Sequence, residues 1–307
     1  MNKVPTSIPW RLNLLIVLIQ SLAAGVIFWL TAMADSWWHL ALLALAFAIL
    51  GNSIYALMHE AEHGILLPSK KWNDLLGAFL ALFFPAPFHL LRQSHLGHHY
   101  RNRSDDEAFD FYSSGDRPVW KWLQLYGILT GFFWIAIVLS NFVAVCLPFI
   151  LKRKFFDFDR PSAALMDSLN PRYWRLVRLE ALAAIVFQMA IVWFLNVPIG
   201  SYLLVYLGFG VSWSAMQYVH HFGTERDVVD GTRNLWILAP LDAIWLHHNW
   251  HHTHHQHPTV AWIHLPRLSQ EKDAQREFLL WHYLRMWRGP RYTDQHVENR
   301  HAGRIIS

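Results

Sequence analysis

The chain has 307 residues, 54% of them hydrophobic and only 16% charged, with 17 Trp and 20 Phe, a balance too apolar for an ordinary soluble domain and one that reads as a multi-pass membrane protein. The single cysteine, Cys146, excludes a disulfide framework, a cysteine-based zinc or iron–sulfur site and a built-in redox dithiol, so any electrons the protein uses come from a partner. The formal charge of +4 sits in loops between apolar runs, where it sets membrane topology rather than binding nucleic acid.

The first apolar run, Leu12 to Leu30, is long enough to span and has no small-residue cleavage pattern before Asp35, so it reads as a transmembrane helix and not a signal peptide. A span needs about 20 apolar residues, because about 1.5 Å of rise per residue must cross about 30 Å of hydrocarbon. Residues 12–32, 37–57, 179–196 and 199–219 meet this requirement. The stretch 75–91 is short and broken by Pro85 and Pro87, and 122–151 is a longer run containing Gly127, Gly131 and Pro148. If the four clean spans form two hairpins turning at MADSW (33–37) and NVPIG (196–200), neither turn holds Lys or Arg, and all 26 basic residues fall on the other side. Lys and Arg accumulate on the cytoplasmic side. That places both termini, residues 58–121 and the KRKFFDFDR loop (152–160) in the cytoplasm, and requires 75–91 and 122–151 to be re-entrant or interfacial. A single crossing by 122–151 would put Lys152, Arg153 and Lys154 outside. There is no internal repeat and no second domain. Residues 265–307 form a cytoplasmic tail, helical over Gln270–Arg288, that caps the surface. The expected fold is an all-α integral membrane protein with about four transmembrane helices, re-entrant or interfacial helices and a cytoplasmic histidine-lined cap, in the inner membrane if the source is bacterial.

The 20 histidines are concentrated in four clusters: HEAEH (His59, His63), HLGHH (His95, His98, His99), YVHHFG (His220, His221) and HHNWHHTHHQHP from His247 to Pro258. Each follows an apolar segment, on the face assigned to the cytoplasm. Residues i and i+4, or i, i+3 and i+4, share a helix face, so each cluster aims two or three imidazoles at one point. His39, His89, His264, His282, His296 and His301 stand alone and read as interfacial or core histidines. Catalytic zinc uses about three protein ligands, whereas these clusters offer many more. Imidazole also suits iron, and a pair of irons would absorb about that number and activate O2 against an unactivated C–H bond, chemistry that side chains alone lack.

These boxes resemble those of the membrane-bound fatty acid desaturases and related hydroxylases, over about residues 12–266. His59 and His63 match the first box, and His95, His98 and His99 the second. The third run holds two overlapping H-x-x-H-H registers. Pro258 and Trp262 favour the one made by His251, His254 and His255, leaving His248 and His252 in reserve. YVHHFG is similar to the additional histidine element of alkane hydroxylases, which makes His221 the ninth ligand, ahead of His220. The resemblance implies two non-haem irons, O2 as co-substrate and a long-chain acyl or alkyl lipid as substrate. Electrons would come from a separate ferredoxin, rubredoxin or cytochrome b5 type donor with its reductase. Desaturation of a fatty acyl group is the first expectation. Hydroxylation, terminal-alkene-forming decarboxylation of a fatty acid and carotenoid oxidation are the alternatives on the same scaffold. Glu60, Glu62, Asp105, Asp106, Glu225, Asp227 and Asp242 are candidates to orient the ligating rings. Arg92, Arg101 and Arg103 are candidates to meet a donor protein, a thioester head group or lipid phosphate.

Two rivals read the same residues differently. In an intramembrane zinc protease, His59, His63 and Asp242 of NLWILAPLDA would hold zinc and Glu60 would be the base. That reading leaves the second and third clusters idle. A metal transporter would carry ionisable residues near the middle of its spans, where the clean spans have almost none.

Overall fold

The lengths of the apolar runs and the proline and glycine breaks between them divide the chain into long apolar helices, helix pairs bent sharply at a break, and short elements gathered over one end. The computed structural model describes residues 7–269 and 276–306. In chain order, α1 (Trp10–Met33), α2 (Trp37–Glu62), α3 (Lys70–Phe83) and α4 (Phe88–Arg101) precede a short strand β1 (Phe111–Tyr112). Then come α5 (Pro118–Leu129), α6 (Phe132–Cys146), α7 (Arg160–Ser168), α8 (Trp174–Phe194) and α9 (Ile199–Val219). The remainder comprises β2 (Leu235–Trp236), α10 (Ala239–Ile244), α11 (His251–Gln256), α12 (Leu265–Leu268), β3 (Glu277–Phe278), α13 (Leu279–Met286) and β4 (Arg291–Tyr292). β1 pairs with β4 and β2 with β3, both parallel.

Four helices, α1, α2, α8 with its leading turn, and α9, are long and apolar enough to cross a membrane, and the protein is an all-α membrane protein. Apolar side chains point out and amides point in, the arrangement a hydrocarbon solvent demands. Leu22 on α1 is 63% exposed and Trp193 on α8 is 78% exposed. Gln20 of α1 instead donates to Ser53 of α2 at 2.9 Å, and Asn52 of α2 donates to Ser212 of α9 at 2.9 Å. Between these helices Phe28, Phe47 and Tyr206 pack as an aromatic core, with Phe47 4.9 Å from Tyr206 and 5.0 Å from Phe28. The backbones of α2 and α9 approach closely through a glycine: a Cβ on Gly208 would lie 2.9 Å from Ala44 O, the small-residue contact typical of membrane helix pairs.

The two ambiguous stretches are bent pairs. α3 and α4 meet at 100° across Phe84–Pro87, and α5 and α6 meet at 87° across Thr130–Gly131. Gly131 has φ +92 and its absent Cβ would touch Val211, so glycine is needed there for both backbone and space. The interrupted stretch 75–91 is therefore two helices, and the second carries HLGHH. α2 runs to Glu62 rather than 57, bringing the first histidine box onto the spanning helix itself, and α8 begins at Trp174 rather than 179. Of the helix expected over 270–288, residues 270–275 lie outside the described residues. Glu277 and Phe278 pair instead with Leu235 and Trp236, and helix occupies Leu279–Met286.

One face gathers the chemistry. Asn13 near the start of α1 donates to Leu66 O just past the end of α2, and Trp262 Nε1 donates to Asn13 Oδ1 at 3.0 Å. Replacing Gly208 by Val is expected to cost about 1–3 kcal/mol through overpacking, seen as a lower thermal unfolding midpoint in detergent. An unchanged midpoint would show that the α2 and α9 backbones separate without penalty.

Candidate metal centre

HEAEHG is the end of α2. With φ +75 at Gly64, its N–H donates to Ala61 O at 3.0 Å and the N–H of Ile65 donates to Glu60 O at 2.9 Å, the paired bonds of a glycine-terminated helix. Buried Asn73 on α3 locks this turn, donating to Ala61 O at 2.9 Å and accepting from Leu66 N–H at 3.0 Å. His59 and His63, one turn apart, are thereby fixed on one face.

α4 and α11 each carry histidine at i, i+3 and i+4. At about 100° per residue, i and i+4 stand about 40° apart around the axis, and i+3 stands about 100° from i+4. The structure divides each triad accordingly. His95 and His99 of α4 converge with His59, His63 and His254, while His98 converges with His221, His251 and His255. On α11 the pair His251 and His255 joins the second group and His254 the first. Each triad thus serves two neighbouring points and not the single point expected from sequence. The points adjoin, with the rings of His99 and His255 4.3 Å apart. All nine histidines singled out by the box pattern fall in these two groups.

The spacing of the ring nitrogens suits metal. In the first group Nε2 atoms stand 2.8 Å apart for His63 and His95, 3.1 Å for His95 and His99, and 3.1 Å for His99 and His254. In the second, His221 and His251 are at 3.0 Å and His251 and His255 at 3.2 Å. An imidazole nitrogen about 2.1 Å from a first-row ion has neighbours about 3.0 Å away in an octahedral shell and about 3.4 Å away in a tetrahedral one. The Nε2 of His59 is buried with no hydrogen-bond partner among the described residues, its ring 4.3 Å from His95 and 4.5 Å from His254. Five imidazoles exceed the four positions of a closed zinc site. The residues present fit metal ions held by nitrogen alone.

Burial first, and neighbouring histidines second, hold His221, His251, His254 and His255 well below the usual imidazole range. Burial, with Arg92 nearby, pushes His63 down to about 3. These rings are neutral at physiological pH, the form that ligates metal. His98 is oriented by a carboxylate: its Nδ1–H donates to Glu107 Oε1 at 2.9 Å, leaving Nε2 for the centre. Burial works to raise the Glu107 carboxyl, but His98 and Arg101 hold it below the usual range. Fully buried Arg103 donates to Asp110 at 2.6 Å, to the Tyr218 hydroxyl at 2.7 Å and to Thr224 O at 2.9 Å. Asp110 accepts from Gly223 N–H at 2.7 Å. This network ties the loop after α4 to the end of α9 and sets His98 opposite His221, their rings 4.8 Å apart.

The reserve residues have other places. His220 donates from Nδ1 to Arg233 O at 3.1 Å, and His252 pairs with Thr232 at 3.1 Å and Gln256 at 3.0 Å. His248 lies edge-on to His59 with ring centroids 5.0 Å apart, and lines a cleft beside the first group with Ala56, Leu246 and Trp262. The chain enters this cleft through two successive left-handed residues, Leu246 (φ 51) and His247 (φ 56), a conformation that costs non-glycine residues energy. Glu60 accepts from Trp262 N–H at 3.0 Å, and Asp242 accepts from His247 Nδ1 at 2.9 Å. Asp242 is in neither histidine group, which removes the third ligand of the zinc-protease reading. Arg92, Arg101 and Arg103 are not a docking surface: Arg92 binds Asp74, Arg101 lies against Glu107 and Arg103 holds Asp110. Asp105 and Asp106 contact the C-terminal segment, and Asp227 caps its own turn. Glu107, Asn73 and the partners of Arg103, Asp110 and Tyr218, were not singled out from sequence, since no spacing marks them. Among the isolated histidines, His39 pairs with Asp35, His89 with Glu180, His264 with Ser7, His282 with Glu277 and His296 with Asp105.

Neutral buried imidazoles make acid the natural way to open the site. His63 and His220, both pushed to about 3, bind protons in the unfolded chain near pH 6.5 but not in the fold, so stability rises with pH between these values and falls as pH drops. Metal-free protein in detergent is expected to lose thermal stability progressively from about pH 6.5 downward, followed by circular dichroism. A midpoint flat from pH 7 to pH 4 would contradict buried neutral rings.

No curated protein matches the chain. A match to the family described as fatty acid desaturase covers residues 35–290 and takes in both histidine groups entire, and the chain belongs to the fatty acid desaturase family.

Proposed function

We propose that the protein is an O2-dependent membrane diiron oxidase that desaturates a long-chain fatty acyl group. The observation that carries this reading is the assembly of nine histidines into two adjoining groups in a chain of this family. His59, His63, His95, His99 and His254 would hold one iron, and His98, His221, His251 and His255 the other. When bound, such a pair supplies the activation of O2 that an unactivated C–H bond requires, using two electrons from a ferredoxin, rubredoxin or cytochrome b5 type donor and its reductase.

The protein's own part is placement and exclusion. Asn73 and Gly64 hold the first box on its helix end. Glu107 fixes the tautomer of His98 with the proton on Nδ1. Glu60 anchors Trp262, and so the segment after the third box, to α2. The bias of basic residues supports placing the metal centre and both termini on the cytoplasmic side, of the inner membrane in a bacterium.

Hydroxylation is the second reading, favoured by His221. It belongs to the element similar to that of alkane hydroxylases, and it stands in the second group beside His251. Terminal-alkene formation and carotenoid oxidation would use the same donor set. Mass spectrometry of lipids from cells expressing the protein separates these outcomes: loss of two hydrogens supports desaturation, and gain of one oxygen supports hydroxylation. His98→Ala and His254→Ala are each expected to abolish product and to lower retained iron. Full turnover in either variant would sink the ligand assignment.

A further inference from the structure

The segment after α13 follows a path that the metal centre does not obviously need. It begins where the match to the desaturase family ends, at residue 290, and runs along the loop that leaves the second histidine box. Arg291 N–H donates to Asp110 O at 2.9 Å and Thr293 N–H to Tyr112 O at 3.0 Å. Val297 then brackets Asp105, accepting from its N–H at 2.8 Å and donating to its carboxylate at 3.1 Å. Asn299 donates to Asp106 at 3.0 Å. The Arg304 guanidinium lies 4.0 Å over the Tyr100 ring on α4, and Ile306, 5% exposed, donates its N–H to Ser168 O at 2.9 Å. The contacts therefore recur along residues 100–112, at Tyr100, Asp105, Asp106, Asp110 and Tyr112.

What that loop holds is Glu107. Its N–H donates to Ser104 O at 3.0 Å, one carboxylate oxygen takes the Nδ1–H of His98 and the other lies 3.4 Å from Arg101. Arg101 in turn donates to Ser168, the residue whose carbonyl anchors Ile306. A short loop of this composition, rich in Asp, Asn and Ser, has no regular secondary structure to fix it. Its backbone is fixed by the strap on one side and by Arg103 on the other.

We infer that residues 291–306 act as a strap that holds Glu107 on His98, making tight metal binding by the second histidine group depend on the C-terminal segment. The strap is a positioning element: it touches no ring of either group. The inference rests on the reading of His98, His221, His251 and His255 as a metal site.

The test uses hydrogen exchange on the metal-free protein and competition of ferrous iron with a chelator. It compares the full chain, a chain ending at Pro290, and the point variant Ile306→Asp, which spares the fold should truncation not. In both variants the amides of residues 104–107 are expected to exchange at least about tenfold faster while those of α2 and α9 are unchanged. Second-site iron affinity is expected to fall about 10–100-fold, the range seen when an orienting partner is lost. Glu107→Ala is expected to produce the same loss, with no further loss when combined with truncation, as two changes acting through one contact should behave. Unchanged exchange at 104–107, faster exchange with unaltered affinity, or independent addition of the two losses would overturn the strap. Absence of a second ion in the full chain would overturn the metal-site reading instead, and the exchange measurement would still judge the strap's hold on the loop.

Discussion

The structure turns on the close approach of buried imidazole nitrogens. A ring nitrogen with a lone pair and no donor is costly away from water. Here ring Nε2 atoms are brought within 2.8–3.2 Å of one another in two groups, and His59 Nε2 has no partner among the described residues. Each contact between neutral rings can hold one N–H, and burial discourages the further proton that would make the pair cationic. A cation common to each group would satisfy its lone pairs at once. The helix ends around the site are accordingly over-determined: Gly64 and Asn73 fix the first, Glu107 and Arg103 the second, and the Asp242–His247 pair the turn that leads to the third.

The membrane is what makes this arrangement affordable. Helices with apolar outer faces and amide cross-links such as Gln20 to Ser53 and Asn52 to Ser212 hold α1, α2 and α9 in fixed register. Their ends then meet the cap of short elements on one face. Where the helix pairs bend, at Phe84–Pro87 and Thr130–Gly131, proline and glycine supply the bend. The second bend sets Gly131 against Val211, so α5 and α6 pack back onto α9.

Much of the site was legible because metal ligation leaves a mark in one dimension: histidines must recur at helical spacing to share a face. His59, His63, His95, His98 and His99 follow from that, the four long apolar helices follow from hydropathy, and His221 and the register of His251, His254 and His255 came from the family resemblance. What was not legible depends on contacts between distant segments. Hydropathy falls at HEAEH, which suggested that α2 stops near 57. The helix continues because Asn73 and Gly64 satisfy its last carbonyls. Arg92, Arg101 and Arg103 looked like surface charge because burial depends on partners supplied by folding, Asp74, Glu107 and Asp110. Glu107 carries no sequence signal beside equally acidic neighbours. The division of each triad between two points, by contrast, was available from helix geometry: i and i+4 diverge by about 40° and i+3 falls on the other side.

The central claim is that two adjoining all-histidine shells hold a pair of irons. X-ray absorption at the iron edge, together with a metal count on the purified 307-residue chain, reads it directly. The account predicts about two irons per chain with nitrogen donors near 2.1 Å. A single zinc per chain, or an iron shell dominated by carboxylate oxygen, would contradict it.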